Sequence, residues 1–418
     1  MRYWNEAAET MPRTERRKLQ LERLKGRLAY VRQRVPFYGG LPQVKSLDDL
    51  RTLPFTGKSD LRDNYPTGLF ALPLDQCVRI HASSGTRGKP TIVGYSRRDL
   101  ASWSEVCARA LVSAGGQPGD VLQNAYGYGL FTGGLGFHQG AELIGMTVVP
   151  TSSGNSARQI LMLQDLGARG LCCTPSYALN LGDTMREMGV EPAGLNLRYG
   201  LFGAEPWTDG LRRQIEAAIP GLKAYDIYGL SEIVGPGVSV ECEARNGLHI
   251  QEDHFLAEIV DPDSGEPLPI GETGELVFTN LTKEAMCLIR YRTGDICSLT
   301  DEPCPCGRTT ARMSKIKGRS DDMLIIRGVN VFPSEVEATL LQVPEVAPHY
   351  QLVVTREGAL DAVEVQVEAL AETPELEPAL ARRLRDVLGL SCRVTVQPPK
   401  TIPRSEGKAI RVVDKRTG

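Results

Sequence analysis

Two groups of residues in this chain could do chemistry by type and spacing alone. The first is the run His81-Ala82-Ser83-Ser84-Gly85-Thr86-Arg87-Gly88-Lys89-Pro90-Thr91. Its glycines let the backbone turn with N–H groups inward, and its hydroxyls and cations add donors, a composition suited to a polyphosphate. It is not a Walker A loop. Gly85 and Gly88 stand too close together, and Pro90 followed by Thr91-Ile92-Val93 reads as a strand where that motif needs a helix. The expectation is a hydroxyl-rich loop between two strands, with an ordinary hairpin turn as the plain alternative. The second group is Cys242 with His249, and Cys304 with Cys306. A Cys-x₆-His and a Cys-x-Cys-Gly could close a tetrahedral Cys₃His site for Zn²⁺ between two loops. With four protein ligands and no open position, such a site would be structural. Free thiols and a surface histidine are the alternative.

The elements that must hold these groups follow from the patterning. Leu21, Leu24, Leu28, Val31 and Val35 recur at helical steps and predict an amphipathic helix over 14–35, ended before Pro36. A second helix is expected over 96–114 with Ser96 as N-cap. The stretch Tyr126-Gly127-Tyr128-Gly129-Leu130-Phe131-Thr132-Gly133-Gly134-Leu135-Gly136 suggests backbone brought close to a flat ligand, or else a glycine-rich helix-packing turn. Short apolar strands at 121–125, 146–149, 170–173 and 201–205 alternate with helices at 157–166 and 209–218. That rhythm implies a parallel, layered α/β sheet with ligands at the strand C-termini, where Gly203-Ala204-Glu205 and Tyr228-Gly229-Leu230-Ser231-Glu232 fall. After Leu256 the texture turns to β and suggests a small β-barrel or orthogonal sheet closing the large domain. Beyond the polar run Gly318-Arg319-Ser320-Asp321-Asp322 lies a small α+β unit with helices near 334–341 and 376–387. Two domains are expected, 1–320 and 321–418.

Composition sets the outer limits. In 418 residues, 48 Lys+Arg against 51 Asp+Glu leave a net charge of −3, with no footprint for nucleic acid or an anionic membrane. No apolar run approaches the ~20 residues that span a bilayer. The ten cysteines are scattered, Cys172 and Cys173 side by side, which is not a disulfide framework. A cytoplasmic protein is expected.

With these pieces in order, the chain resembles the adenylate-forming superfamily of acyl- and aryl-CoA synthetases, and within it the phenylacetate–CoA ligases. The likeness runs from Leu53-Pro54-Phe55-Thr56 to Lys408. It rests on the glycine-rich stretch at 126–136, Tyr-Gly-Leu-Ser-Glu at 228–232, Tyr-Arg-Thr-Gly-Asp at 291–295 and the long run from Gly318 to Pro333. The resemblance implies a large N-terminal AMP-binding domain with a small mobile lid. It also implies two half-reactions: an acid attacks ATP to give acyl-AMP and pyrophosphate, then a thiol takes the acyl group. The implied substrates are ATP with Mg²⁺, a small aromatic carboxylic acid and coenzyme A.

Roles follow from the resemblance position by position. Ser83, Ser84, Gly85, Thr86, Gly88 and Lys89 would hold the β- and γ-phosphates. Gly203, Ala204 and Glu205 would line the adenine slot, with Asp226, Ile227, Tyr228, Gly229, Leu230 and Ser231 beside it and Tyr228 on the purine face. Glu232 would hold Mg²⁺, a hard cation suited to carboxylate and phosphate oxygens. Asp295 would take the ribose hydroxyls and Arg319 would add a contact to ribose or phosphate. Lys408 would bridge the attacking carboxylate and the α-phosphate. Asp321 would be the hinge, and Gly328 would leave room for a pantetheine arm. Tyr126, Phe131, Ile233, Val234 and Pro236, with Gly203, are the candidates for the acyl pocket. Arg87 departs from the group, which more often has threonine there. A carrier-protein thiol or an amine in place of coenzyme A would leave the same motifs, and a non-catalytic nucleotide or aryl sensor is the third reading. Paired chains occur in the group, so a homodimer is compatible with the resemblance.

Overall fold

The computed structural model describes residues 1–83, 90–319, 324–327, 329–357, 360–370, 374–404 and 408–416. The first long helix spans Arg13–Arg34 and ends at the extended cap Val35, as Pro36 requires. Its buried stripe is Arg16, Gln20, Leu24, Leu28 and Val31, so the inward face is polar at its start. There Arg16 donates to Thr309 O (2.8 Å) and Gln20 to Glu252 O (2.9 Å). These bonds offset the cost of burying the two side chains.

The next helix, Arg97–Ser113, starts on the expected cap. Ser96 Oγ accepts Asp99 N–H at 3.1 Å, and Asp99 returns an acceptor to Ser96 N–H at 2.9 Å. A third helix, Gly133–Ile144, packs tightly on it. A Cβ on Gly136 would lie 2.7 Å from the Trp103 ring, and one on Gly140 would lie 2.6 Å from Cys107 Cβ. The second half of the glycine-rich stretch is therefore a helix whose missing side chains let two helices approach.

The strands form one sheet of twelve. Its parallel half runs Thr147–Val149, Val121–Asn124, Gly170–Cys173, Tyr199–Gly203 and Lys223–Leu230. The helices Ser156–Asp165 and Asp209–Ala218 connect these strands as the alternating pattern predicted, and a further helix not expected from the pattern, Pro175–Glu187, joins them. Gly235–Glu241 reverses direction against Lys223–Leu230. The antiparallel half then continues through Leu248–Ile250, Arg312–Met313, Tyr291–Thr300, Thr273–Asn280 and Phe255–Val260. The strands expected to make a small barrel are thus bonded into the same sheet. The two-residue strand Arg312–Met313 stitches them on, and so short a strand carries little periodic signal. Arg79–Ala82 and Ile92–Tyr95 make a separate antiparallel hairpin.

A separate apolar core serves the C-terminal unit: Leu324, Ile326, Val331, Val336, Leu340, Leu352, Val354, Val365, Val367, Leu380 and Leu384. Its four-stranded sheet is ordered Arg393–Gln397, Leu360–Ala369, Val346–Glu357, Val412–Asp414, with helices Pro333–Leu340 and Leu376–Leu388. The proposed domain boundary at 320/321 lies outside the described residues. Among the described residues no helix is long and apolar enough to cross a membrane.

Beneath the helix Arg97–Ser113 lies a buried ion pair. Arg109 forks onto Asp253 with contacts of 2.8 and 3.0 Å. Burial alone would push the Asp253 carboxyl up; His254 and the Arg109 fork outweigh it and hold it well below the usual carboxylate range. A carboxyl depressed on folding adds stability that is present above its unfolded value of about 3.9 and lost as pH falls through the folded one. Asp253→Asn should therefore cost about 1–3 kcal/mol at pH 7, because it removes one carboxylate from the buried Arg109 and leaves it to Glu105 at 2.6 Å. Urea unfolding of both proteins should show that gap close as the solution is acidified below about pH 4; a gap independent of pH would contradict the assignment.

Candidate active site

The strand Tyr199–Gly203 ends against its neighbour: a Cβ on Gly203 would meet Ile227 O at 2.1 Å. Ala204 follows with φ 71°, a left-handed backbone that non-glycine residues seldom adopt. This turn throws Glu205 out over the sheet edge, where it is half-buried. One Glu205 oxygen accepts the N–H of Ser176 at 2.8 Å and also the Ser176 hydroxyl; the other accepts the N–H of Ala409 at 2.8 Å. Glu205 therefore joins the large unit to the segment that carries Lys408.

Tyr228 lies at the end of the central strand Lys223–Leu230. Its ring stacks on Phe278 at 6.2 Å, and its hydroxyl donates to Asp295 Oδ2 at 2.6 Å. Burial raises the Tyr228 phenol well above its ordinary value, and the Asp295 charge adds to the effect, so the hydroxyl stays protonated. Asp295 pairs in register with Arg319 across two strands, and Arg319 Nη1 reaches Asp295 Oδ1 at 3.1 Å. Tyr228, Asp295 and Arg319, up to 91 residues apart, thus form one hydrogen-bonded chain.

Lys408 belongs to the same cleft. Its amine is pushed below the ordinary lysine value, first by removal from bulk water and then by the Arg319 charge; Glu205, Asp295 and Glu232 act in the opposite sense. The residue as a whole is nonetheless exposed.

Glu232 is buried, and its carbonyl accepts from Lys283 Nζ at 3.4 Å. Lys283 lies over the Tyr95 ring at 4.6 Å, and burial lowers its amine to about 8. Tyr95 donates to Val234 O at 3.0 Å and Asn280 to Ile233 O at 3.3 Å. Thr132 and Ser231 hydroxyls meet at 3.0 Å. Segment 231–236 is thereby pinned by its carbonyls, with Pro236 O taking the Trp103 indole at 3.0 Å. Lys283 was not expected from sequence; a lone lysine inside the apolar stretch 276–289 is the signal that would have marked it.

The candidate acyl-pocket residues separate into two groups. Tyr126 is buried, stacked on Phe137 at 5.5 Å, and shares a core with Phe131; Ile233 and Val234 pack in another core with Trp103. The two groups meet at the Thr132–Ser231 contact. Asp226 and Ile227 lie in the central strand with Gly229 and Leu230, and burial together with Glu241 pushes the Asp226 carboxyl up to about 7. Ser83 follows the first hairpin strand and donates its N–H to Thr91 O at 3.0 Å. Ser84, Gly85, Thr86, Gly88, Lys89, Asp321 and Gly328 lie outside the described residues.

Cys242, His249, Cys304 and Cys306 converge, all buried, with their ligand atoms within 4.8 Å of one another. Cys242 Sγ and Cys304 Sγ are 3.6 Å apart, and Cys306 Sγ is 3.3 Å from His249 Nε2. Zn–S bonds of ~2.3 Å in a tetrahedron place sulfurs about 3.8 Å apart, so the donor set fits that ion. Thr310 Oγ1 lies 3.0 Å from His249 Nδ1, the outer contact that would turn Nε2 toward the thiols.

The α/β sheet, the acidic-and-basic cleft at its strand ends and the small second unit belong to an AMP-binding, adenylate-forming enzyme, as two family matches show. A model for AMP-binding enzymes matches residues 18–281, and one for the AMP-binding enzyme C-terminal domain matches residues 328–416. Phenylacetate-coenzyme A ligase of Thermus thermophilus is 54% identical, covering 98% of both chains. Solved structures of 2-hydroxyisobutyryl-CoA ligase are 32% identical and cover 100% of this chain and 93% of theirs. The TM-score is 0.93 for the postadenylation state in complex with 2-HIB-AMP, against 0.75 for the thioesterification state with 2-HIB-AMP and CoA. The chain belongs to the phenylacetate–coenzyme A ligase family of adenylate-forming acid–thiol ligases.

Proposed function

We propose that the protein activates a small aromatic carboxylic acid, of the phenylacetate, benzoate or anthranilate type, as its acyl-adenylate and then transfers the acyl group to coenzyme A. The observation that carries this reading is the single cleft in which Tyr228, Asp295 and Arg319 are hydrogen-bonded in series and the Lys408 amine feels their charge. Attack of one anion on another needs positive charge and fixed donors more than it needs a base. Lys408 supplies the mobile cation. Arg319, held by Asp295, supplies a fixed one. Tyr228 offers a ring face and Asp295 its acceptors to a nucleoside.

Glu232 is the carboxylate that would hold Mg²⁺ beside the phosphates, its main chain fixed by Lys283; bound there, the ion would offset phosphate charge. The Cys₃His cluster would hold Zn²⁺ as a structural clamp. The hydroxyl-rich loop at 83–89 would take the β- and γ-phosphates, and Tyr126, Phe131, Ile233, Val234 and Pro236 would contribute the acyl pocket. The division near residue 320 would let the small unit turn about Asp321 and present Gly328 to the thiol.

A panel of aryl acids in acid-dependent ATP–pyrophosphate exchange tests the reading. Exchange is expected with phenylacetate or a close aryl relative, and thioester formation with coenzyme A. Thioester formation on a loaded carrier protein alone would replace coenzyme A as acceptor. Absence of exchange with every acid would defeat the proposal.

A further inference from the structure

We infer that Glu205 is a positioning residue for adenylation: by holding the Ala409 N–H it fixes the peptide next to Lys408 over the nucleotide face of the large unit. The inference rests on the assignment of Lys408 under Proposed function, and adds a task for Glu205 that lining an adenine slot does not require.

Both Glu205 oxygens are engaged, and by opposite sides of the cleft. On the large unit, the donors are the N–H and hydroxyl of Ser176, in the first turn of the helix Pro175–Glu187. First-turn N–H groups have no partner within their own helix, and the positive end of the helix favours a carboxylate there. That side of the clamp is thus fixed whatever the small unit does. On the small unit, the donor is the Ala409 N–H at 2.8 Å. One peptide separates this N–H from the Lys408 Cα, so the bond restricts where the lysine side chain can start. The left-handed turn at Ala204 aims the carboxylate at that point.

A second carboxylate works in the reverse direction nearby. Glu337 of the small unit accepts the N–H and hydroxyl of Thr208 at 3.2 and 3.0 Å, while Arg411 reaches its other oxygen at 3.3 Å. Two carboxylates, one from each unit, therefore define the orientation in which Lys408 faces Asp295 and Arg319. When the small unit turns for thiolysis, the Ala409 N–H must leave Glu205, whereas the Ser176 donors can stay. The clamp is then reversible without stranding the charge. The adenine-slot role alone would explain neither the Ala409 bond nor a dependence of Lys408 placement on Glu205.

The test uses full-length Glu205→Gln and Glu205→Ala, the isosteric Gln variant guarding against a folding defect. Hydrogen exchange of the peptide containing the Ala409 amide, in protein without ATP, should speed at least about tenfold in Glu205→Ala, with the central sheet strands unchanged. At saturating ATP the kcat of acyl-AMP formation should fall about 10- to 100-fold, while thiolysis of supplied acyl-AMP stays within about threefold; Glu205→Gln should fall between. These ranges correspond to loss or weakening of one charge-assisted hydrogen bond. Unchanged exchange at Ala409, or a loss confined to KM for ATP with kcat retained, would overturn the inference. If instead Ala409 exchange responds but Lys408→Ala leaves adenylation intact, the clamp stands and the assignment of Lys408 fails.

Discussion

Lys408→Ala is expected to lower acyl-AMP formation by about 10²-fold or more while leaving thiolysis of supplied acyl-AMP nearly intact. The magnitude is that of removing one prealigned electrostatic contact from a transition state in which charge builds up. The structure places the Lys408 amine in the field of Arg319, Glu205, Asp295 and Glu232. Its lowered value also has a consequence with a definite sign. The ammonium is the form that can bridge two anions, so adenylation should decline as pH rises through the lysine's depressed value. Thiolysis, which needs no such bridge, should not follow that limb. Lys408→Arg keeps the charge but replaces a compact ammonium by a broad planar fork, and should recover only part of the rate. Equal loss of both half-reactions in Lys408→Ala would remove the lysine from the first step.

Stripping zinc from the Cys242–His249–Cys304–Cys306 cluster should cost the protein more stability than loss of any single surface contact. Structural zinc in small peptides contributes ~10–16 kcal/mol, and a quarter of that is about 3 kcal/mol. In a protein of this size such a loss lowers the melting temperature by about 3–4 °C. The damage should begin at the N-terminus. Tyr3 donates to Cys306 O at 2.7 Å, and Glu9 and Arg308, both buried, pair at 2.7 Å beside the cluster. A strong chelator should thus release one zinc per chain, expose Cys242, Cys304 and Cys306 to alkylation and open residues 1–10 to proteolysis. Purified protein that lacks zinc yet melts at the same temperature after chelation would exclude the site.

Local chemistry was readable from sequence where one residue explains one element. Ser96 announced a helix start, Pro36 announced a helix end, and the three Cys and one His announced a cluster that the fold does assemble. Tyr228, Asp295 and Arg319 were visible as motif positions, but their bonding to one another depends on strand register across the sheet. That Arg312–Met313 bonds the later strands to the parallel half was not legible, because a two-residue strand shows no period. The glycine-rich stretch stayed open to two readings because a helix needing close approach and a ligand wall use the same residue type. Glu205 and Ala409 are 204 positions apart, and no pattern along the chain relates an acidic side chain to a distant backbone donor. The same holds for Thr208 and Glu337.

The small unit keeps its oily residues in a core of its own and meets the large unit chiefly through polar groups: Glu205 with Ala409, Thr208 with Glu337, Asp183 with His349, Glu187 with Lys400. Leu341 against Gly210 is an apolar exception. Swinging the unit away therefore exchanges hydrogen bonds to protein for hydrogen bonds to water and wets little hydrocarbon. Such a transition would carry little change in heat capacity, so the balance between the two postures proposed above should drift only gently between a cold and a warm cell.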